Sequence, residues 1–180
     1  MQYHYTDLIE IFNAAFYATH NTKLVCGTDE PIYLPANSVY PYHRIIFAHG
    51  YFASAMHEIA HWCVAGPQRR LKEDYGYWYE PDGRTAEKQA EFEKVEIKPQ
   101  ALEWILSASC GFRFQVSCDN LSGNYEPDRI GFTRKVREQV LYYLEQGLPE
   151  RVQTLSDALR SHYEIDSLCP EDFPEPAMSI

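Results

Sequence analysis

The sequence predicts a single α+β domain dominated by helices, with a small sheet. In it, a helix carrying His57-Glu58-Ile59-Ala60-His61 packs against a second helix that donates a carboxylate. Three observations lead there. Short β-type runs punctuated by Gly and Pro are confined to residues 22–48, long segments of helical periodicity flank them, and 180 residues is the length of one domain with a real core. Residues 1–165 are expected to form the catalytic domain and 166–180 a loosely held tail, extended by Pro170, Pro174 and Pro176.

Residues 6–17 read as a helix, with Leu8, Ile11, Phe12, Ala15 and Phe16 on one face and Asp7 and Glu10 as a capping box. Lys23-Leu24-Val25-Cys26, Ile32-Tyr33-Leu34 and Arg44-Ile45-Ile46-Phe47-Ala48 read as strands. The third runs through His49-Gly50 into the motif helix. There Phe52, Ala53, Ala55, Met56, Ile59, Ala60 and Val64 supply an apolar face, and Gly66-Pro67 stops it. Tyr75-Gly76-Tyr77-Trp78-Tyr79 is expected to be a strand. A second long helix runs from 85 to about 97 and resumes at Pro99, which must kink or restart it, as far as Ala108. Residues 112–117 alternate like a strand. Two further helices follow, over about 128–146 and 150–163, separated by Gly147-Leu148-Pro149.

Two histidines four residues apart on a helix lie one turn above each other and can converge on one metal ion. Glu58 points about 100° away from His57, so it suits a base or hydrogen-bond partner beside a metal-bound water rather than a ligand. A catalytic metal needs a third protein ligand, for which Glu93, Glu96, His49 and Asp119 are candidates. On the second long helix Glu87, Lys88, Glu91, Lys94 and Lys98 form a solvated face. Glu93, Glu96, Gln100 and Glu103 fall instead in a stripe turned toward the apolar side, where a carboxylate is costly unless positive charge meets it. Glu96, flanked by Val95 and Ile97 and with Gln100 one turn on, is the preferred third ligand; Glu93 is the runner-up. His49 either faces the site from its turn or is a packed or solvated turn histidine, the latter being the commoner role. Tyr77, Trp78 and Tyr79, with Asp119 pairing with a cationic group, are candidates for the substrate channel; aromatics on a half-buried strand serve equally as ordinary core and cover.

A net charge of −10 argues against nucleic acid or an anionic membrane as the main partner; it suits a cationic substrate, and equally an acidic face that is simply solvated. Five cysteines, an odd number without a Cys-x-x-Cys pair, fit neither a disulfide framework nor a zinc finger. No apolar run is long enough to span a bilayer, and the N-terminus lacks the layout of a signal peptide, so a cytoplasmic protein is expected. Two histidines and a carboxylate serve zinc in metallopeptidases, with Glu58 as general base, and iron(II) in oxygenases. A non-catalytic structural-metal module is a further alternative. No His-x-Asp occurs, which argues against a 2-oxoglutarate-dependent barrel.

Several blocks carry a resemblance to a known family. They are Asp29-Glu30-Pro31-Ile32-Tyr33-Leu34-Pro35-Ala36, Arg44-Ile45-Ile46-Phe47-Ala48-His49-Gly50, Ala53-Ser54-Ala55-Met56-His57-Glu58-Ile59-Ala60-His61-Trp62-Cys63 and Tyr75-Gly76-Tyr77-Trp78-Tyr79. Val95-Glu96-Ile97-Lys98-Pro99-Gln100-Ala101-Leu102, Val116-Ser117-Cys118-Asp119-Asn120-Leu121 and Glu126-Pro127-Asp128-Arg129 complete the set. Together they resemble the elongation factor P hydroxylase family of bacteria over nearly the whole chain. The resemblance implies a zincin-like architecture and a non-haem iron(II) monooxygenase; zinc stays the alternative metal on the histidine motif alone. The resemblance further implies dioxygen as oxidant and, as substrate, the lysine of elongation factor P that already carries a β-lysyl group. It places the metal ligands on His57, His61 and Glu96.

Overall fold

The computed structural model describes residues 2–77, 82–122 and 125–176. The first helix, α1 (Tyr5–His20), buries Leu8, Phe12 and Phe16, one residue per turn, as its periodicity requires. The expected capping box is absent. His4 is the N-cap and makes no side-chain cap bond, so Asp7 acts only as first-turn negative charge. Asn21, a residue that tolerates the left-handed region, ends the helix at φ 49° and donates its N–H to Tyr17.

Three strands follow as expected: β1 (Thr22–Gly27), β2 (Ile32–Leu34) and β3 (His43–Ala48), in the order β1-β3-β2. β1 is parallel to β3, pairing Leu24 with Ile45, and β2 is antiparallel to it, pairing Tyr33 with Ile45. Leu24, Tyr33, Ile45 and Phe47 are buried, and α1 packs against β1. β3 leads through a tight turn into α2 (Phe52–Val64). Gly50 is required there, because its φ is +71° and an added Cβ would sit 2.9 Å from the Tyr5 ring. α2 is anchored by Trp62, which is fully buried against Phe12, Phe16 and His20. Its C-terminal carbonyls are capped by Arg151, which donates to the carbonyls of Trp62, Cys63 and Ala65 at 2.6–3.0 Å.

Two expected strands do not form. In place of a strand starting at Tyr75 there are two short 3-10 turns, Arg69–Leu71 and Glu73–Gly76, because Asp74, Tyr75 and Gly76 all take positive φ, which no strand accommodates. Trp78 and Tyr79 lie outside the described residues. Residues 112–120 do alternate between buried or half-buried and exposed positions, but without a partner strand. Side chains satisfy their backbone instead. Arg129 donates to the Val116 carbonyl, Gln100 bonds both N–H and C=O of Ser117, Gln89 donates to Cys118 and Arg84 to Asp119.

The helix α3 (Ala86–Ala108) is continuous through Pro99. Proline costs it the bond to the Val95 carbonyl. The helix nonetheless does not restart, since Ala101, Leu102, Ile105 and Leu106 beyond the proline are buried and the helix packs against its neighbours. α4 (Arg129–Gln146) starts at Asp128, whose carboxylate accepts from the Gly131 N–H at 2.8 Å, and α5 (Glu150–Tyr163) has the bounds its sequence suggests. α3 contacts α2, α4 and α5. Among the described residues after 165, Phe173 joins the core. Phe173 is fully buried, its ring 5.6 Å from that of Trp104, and Arg137 donates to its carbonyl at 2.6 Å. All five cysteines are free; Cys63, Cys110 and Cys118 are buried. No helix among the described residues is long and apolar enough to cross a membrane.

Candidate metal centre

α2 and α3 pack against each other and bring His57, His61 and Glu96 together. His61 Nε2 lies 3.1 Å from His57 Nε2 and 3.2 Å from Glu96 Oε1, and His57 Nε2 lies 3.9 Å from Glu96 Oε2. Donors bound to one ion at about 2.0–2.2 Å stand roughly 3.0–3.5 Å apart, so the cluster is close to the spacing that an ion would impose. The Glu96 side chain is 1 % exposed, and its Oε1 is buried without a hydrogen bond of good geometry. A buried carboxylate oxygen left in this way suits a cation. Burial alone would raise the Glu96 carboxyl. Contact with His61, the charge of both histidines and a bond from Gln100 overcome it and bring the group down to about 2.

The surrounding groups orient the three donors. Gln100 donates to Glu96 Oε2 at 3.1 Å while also holding Ser117, as its place one turn beyond Glu96 suggests. Glu103 is the functional residue that sequence reasoning left unassigned. Its Oε2 lies 2.8 Å from His57 Nδ1. That contact holds the proton on Nδ1 and leaves Nε2 free to act as a ligand. Burial works against charge on His57, but the charge and hydrogen bond of Glu103, with Glu96 and Glu58 adding, lift the imidazole to about 10, so a bound ion would take the place of the Nε2 proton while Nδ1 keeps its own. Glu103 shares the stripe of Glu96 and Gln100 two turns on, so an antiparallel pairing of the two helices was the signal that could have found it. Glu103→Gln is expected to lower metal affinity by about 10–100-fold with little change in melting temperature. Competition titration with a chelator measures it.

The other predicted site residues divide. Glu58 lines a cavity of about 560 Å³ beside His61 and Glu96, a volume suited to a substrate side chain. Burial raises its carboxyl, although His57 and His61 pull it back. Tyr77 lines the same cavity, under the Arg69 guanidinium at 4.1 Å. His49 is exposed on its turn, its ring 5.9 Å from that of Tyr51, and Asp119 is exposed and paired with Arg129; neither lines the cavity. Glu93, the runner-up ligand, accepts from Gln89 at 3.2 Å and faces Lys135 at 3.7 Å, outside the ligand cluster. Cys63 is buried on another side of α2, where burial pushes its thiol up to about 12.

Fold and site thus define a helix-dominated α+β protein with a two-histidine, one-carboxylate cluster between two helices, opening on a cavity. The elongation factor P hydroxylase family model matches residues 11–173. The chain is 56 % identical over 166 residues to the elongation factor P lysine hydroxylase of Haemophilus influenzae, covering 92 % of this chain and 93 % of that protein. It belongs to the elongation factor P hydroxylase family.

Proposed function

We propose that this protein hydroxylates the β-lysylated lysine of elongation factor P in the cytoplasm, using dioxygen at an iron(II) centre held by His57, His61 and Glu96. The observation that carries this reading is the convergence of those three side chains, with His61 and Glu96 on the wall of a cavity, in a chain 56 % identical to a lysine hydroxylase. Iron(II) bound by two histidines and a carboxylate supplies open coordination positions for dioxygen and redox chemistry. The chain's own residues do the rest. Glu103 keeps the proton on His57 Nδ1, Gln100 fixes the Glu96 carboxylate, and Glu58 stands at the cavity wall as a group that can hold or pass a proton. Three protein ligands opening on a cavity argue against a structural metal, which is closed by four.

The rival is a zinc metallopeptidase with Glu58 as base, which the position of Glu58 beside His61 on the cavity wall favours. Iron-loaded protein, lysylated elongation factor P, dioxygen and an added two-electron reductant should yield a product heavier by one oxygen atom, the second oxygen leaving as water, while unlysylated elongation factor P stays unchanged. Glu58→Gln should retain its metal, because Glu58 is outside the ligand group, and metal analysis checks this. Peptide cleavage by zinc-loaded protein without oxygen consumption, reduced by about 10²–10⁴-fold in Glu58→Gln, would instead establish the peptidase.

A further inference from the structure

One wall of the cavity is not used by the ligand cluster. Asp74, Tyr75 and Gly76 take φ of 45°, 58° and 67° in succession, a conformation that glycine adopts freely and that strains a tyrosine. The surroundings hold it in place. Asp74 Oδ1 accepts the Tyr33 N–H at 2.8 Å, Arg69 donates to the carbonyls of Tyr75 and Gly76 at 3.1 and 3.2 Å, and the Tyr75 ring stacks on Tyr33 with centroids 4.3 Å apart. The turn thereby places Asp74 and Tyr75 on the cavity wall with Glu30 and Glu58. Tyr75 is 4 % exposed, and its hydroxyl has no hydrogen-bond partner among the described residues. A buried hydroxyl left unpaired is costly, and a bound group that reaches it recovers the loss.

We propose that this wall selects the substrate: Asp74 and Glu30 receive an ammonium group of an aminoacylated lysine, and the Tyr75 hydroxyl donates to the amide carbonyl within it. This rests on the function proposed above and names the groups that would recognise its substrate. Glu30, Glu58, Asp74 and Glu96 line the cavity, and among the described residues no Lys or Arg does. The charge there is one-sided, as a cationic guest requires. Val64, Val95 and Pro99, also on the lining, offer apolar surface to the methylene stem of such a side chain. Asp119, paired with Arg129 away from the cavity, already has its cation.

Binding measured by calorimetry without oxygen, on the iron-loaded protein, tests the assignment. One titrant is elongation factor P carrying β-lysyl-lysine. The other carries acetyl-lysine at the same position, which keeps the amide and lacks the ammonium groups. The wild type should prefer the lysylated form by about tenfold or more, and Glu30→Gln and Asp74→Asn should each bring the preference toward unity. Asp74→Asn keeps an oxygen for the Tyr33 N–H, so melting temperature and iron content should hold. If Asp74→Asn melts early, Glu30→Gln, on an exposed residue, decides alone. Tyr75→Phe, which keeps the stacked ring, should weaken both forms by a similar factor. A wild-type preference surviving in Glu30→Gln and Asp74→Asn overturns the proposal, as does its loss in Asp119→Asn alone. Oxygen transfer by the wild type alongside such a result leaves the proposed function standing. Its failure on lysylated elongation factor P removes that function itself.

Discussion

Glu96→Ala is expected to abolish metal binding and activity together. Its carboxylate is the one acidic group within ligand distance of both histidine Nε2 atoms, among the described residues. Without it, two imidazoles 3.1 Å apart have no anionic partner in the donor set, and a two-ligand site does not retain a catalytic metal. The loss should exceed the roughly 10–100-fold that an outer hydrogen-bonding partner costs. Metal analysis after dialysis, with melting curves to verify folding, measures it. Glu96→Gln separates charge from shape: the amide fills the same space and still meets Gln100, yet should also lose the metal. Glu93→Ala should keep most of both properties, because Glu93 is occupied by Gln89 and Lys135. Metal retained in Glu96→Ala and lost in Glu93→Ala would move the third ligand one turn back along α3.

Phe173→Ala should destabilise the whole domain by about 3–5 kcal/mol, the usual cost of truncating a fully buried aromatic. For a chain of this size that corresponds to a fall in melting temperature of roughly 6–20 °C. The ring packs against Trp104, on the helix that carries Glu96, Gln100 and Glu103. A chain ending at residue 165 loses the same ring and should melt comparably early. Thermal melts of both proteins check this. A shift below about 2 °C would mean that the segment after 165 is only loosely attached.

The contrast between Phe173 and α5 shows where sequence reasoning reached and where it stopped. The bounds of α5 were readable because a helical apolar stripe, Val152, Leu155 and Leu159, lies between a proline and a stop. Phe173 stands alone in a proline-rich stretch with no periodicity to signal burial, and only the groove at Trp104 makes it core. The same holds for residues 112–120. Their alternation is a true statement about which side chains point inward. Whether alternation becomes a strand depends on a partner edge, and here the side chains of Gln89, Gln100, Arg84 and Arg129 take that place. Tyr75 was misread for a related reason. Aromatic residues favour strands, but three bonds to Arg69 and Asp74 and stacking on Tyr33 impose a turn that local preference opposes.

The sequence by itself located the helices and the three strands that form among the described residues, though not the continuity of α3 through Pro99, and the pairing of His57 with His61. It also singled out Glu96 and Gln100 as buried polar residues on a helix face. All of these follow from spacings within a few residues, which backbone geometry converts directly into faces and turns. Tertiary structure alone decided that Glu103 meets His57 across 46 residues, that Asp119 leaves the cavity for Arg129, and that Asp74 and Tyr75 enter it. Those choices depend on which helix faces which and in what register. Such contacts are selected by burial and charge pairing summed over the whole core, a balance that no local stretch of chain contains.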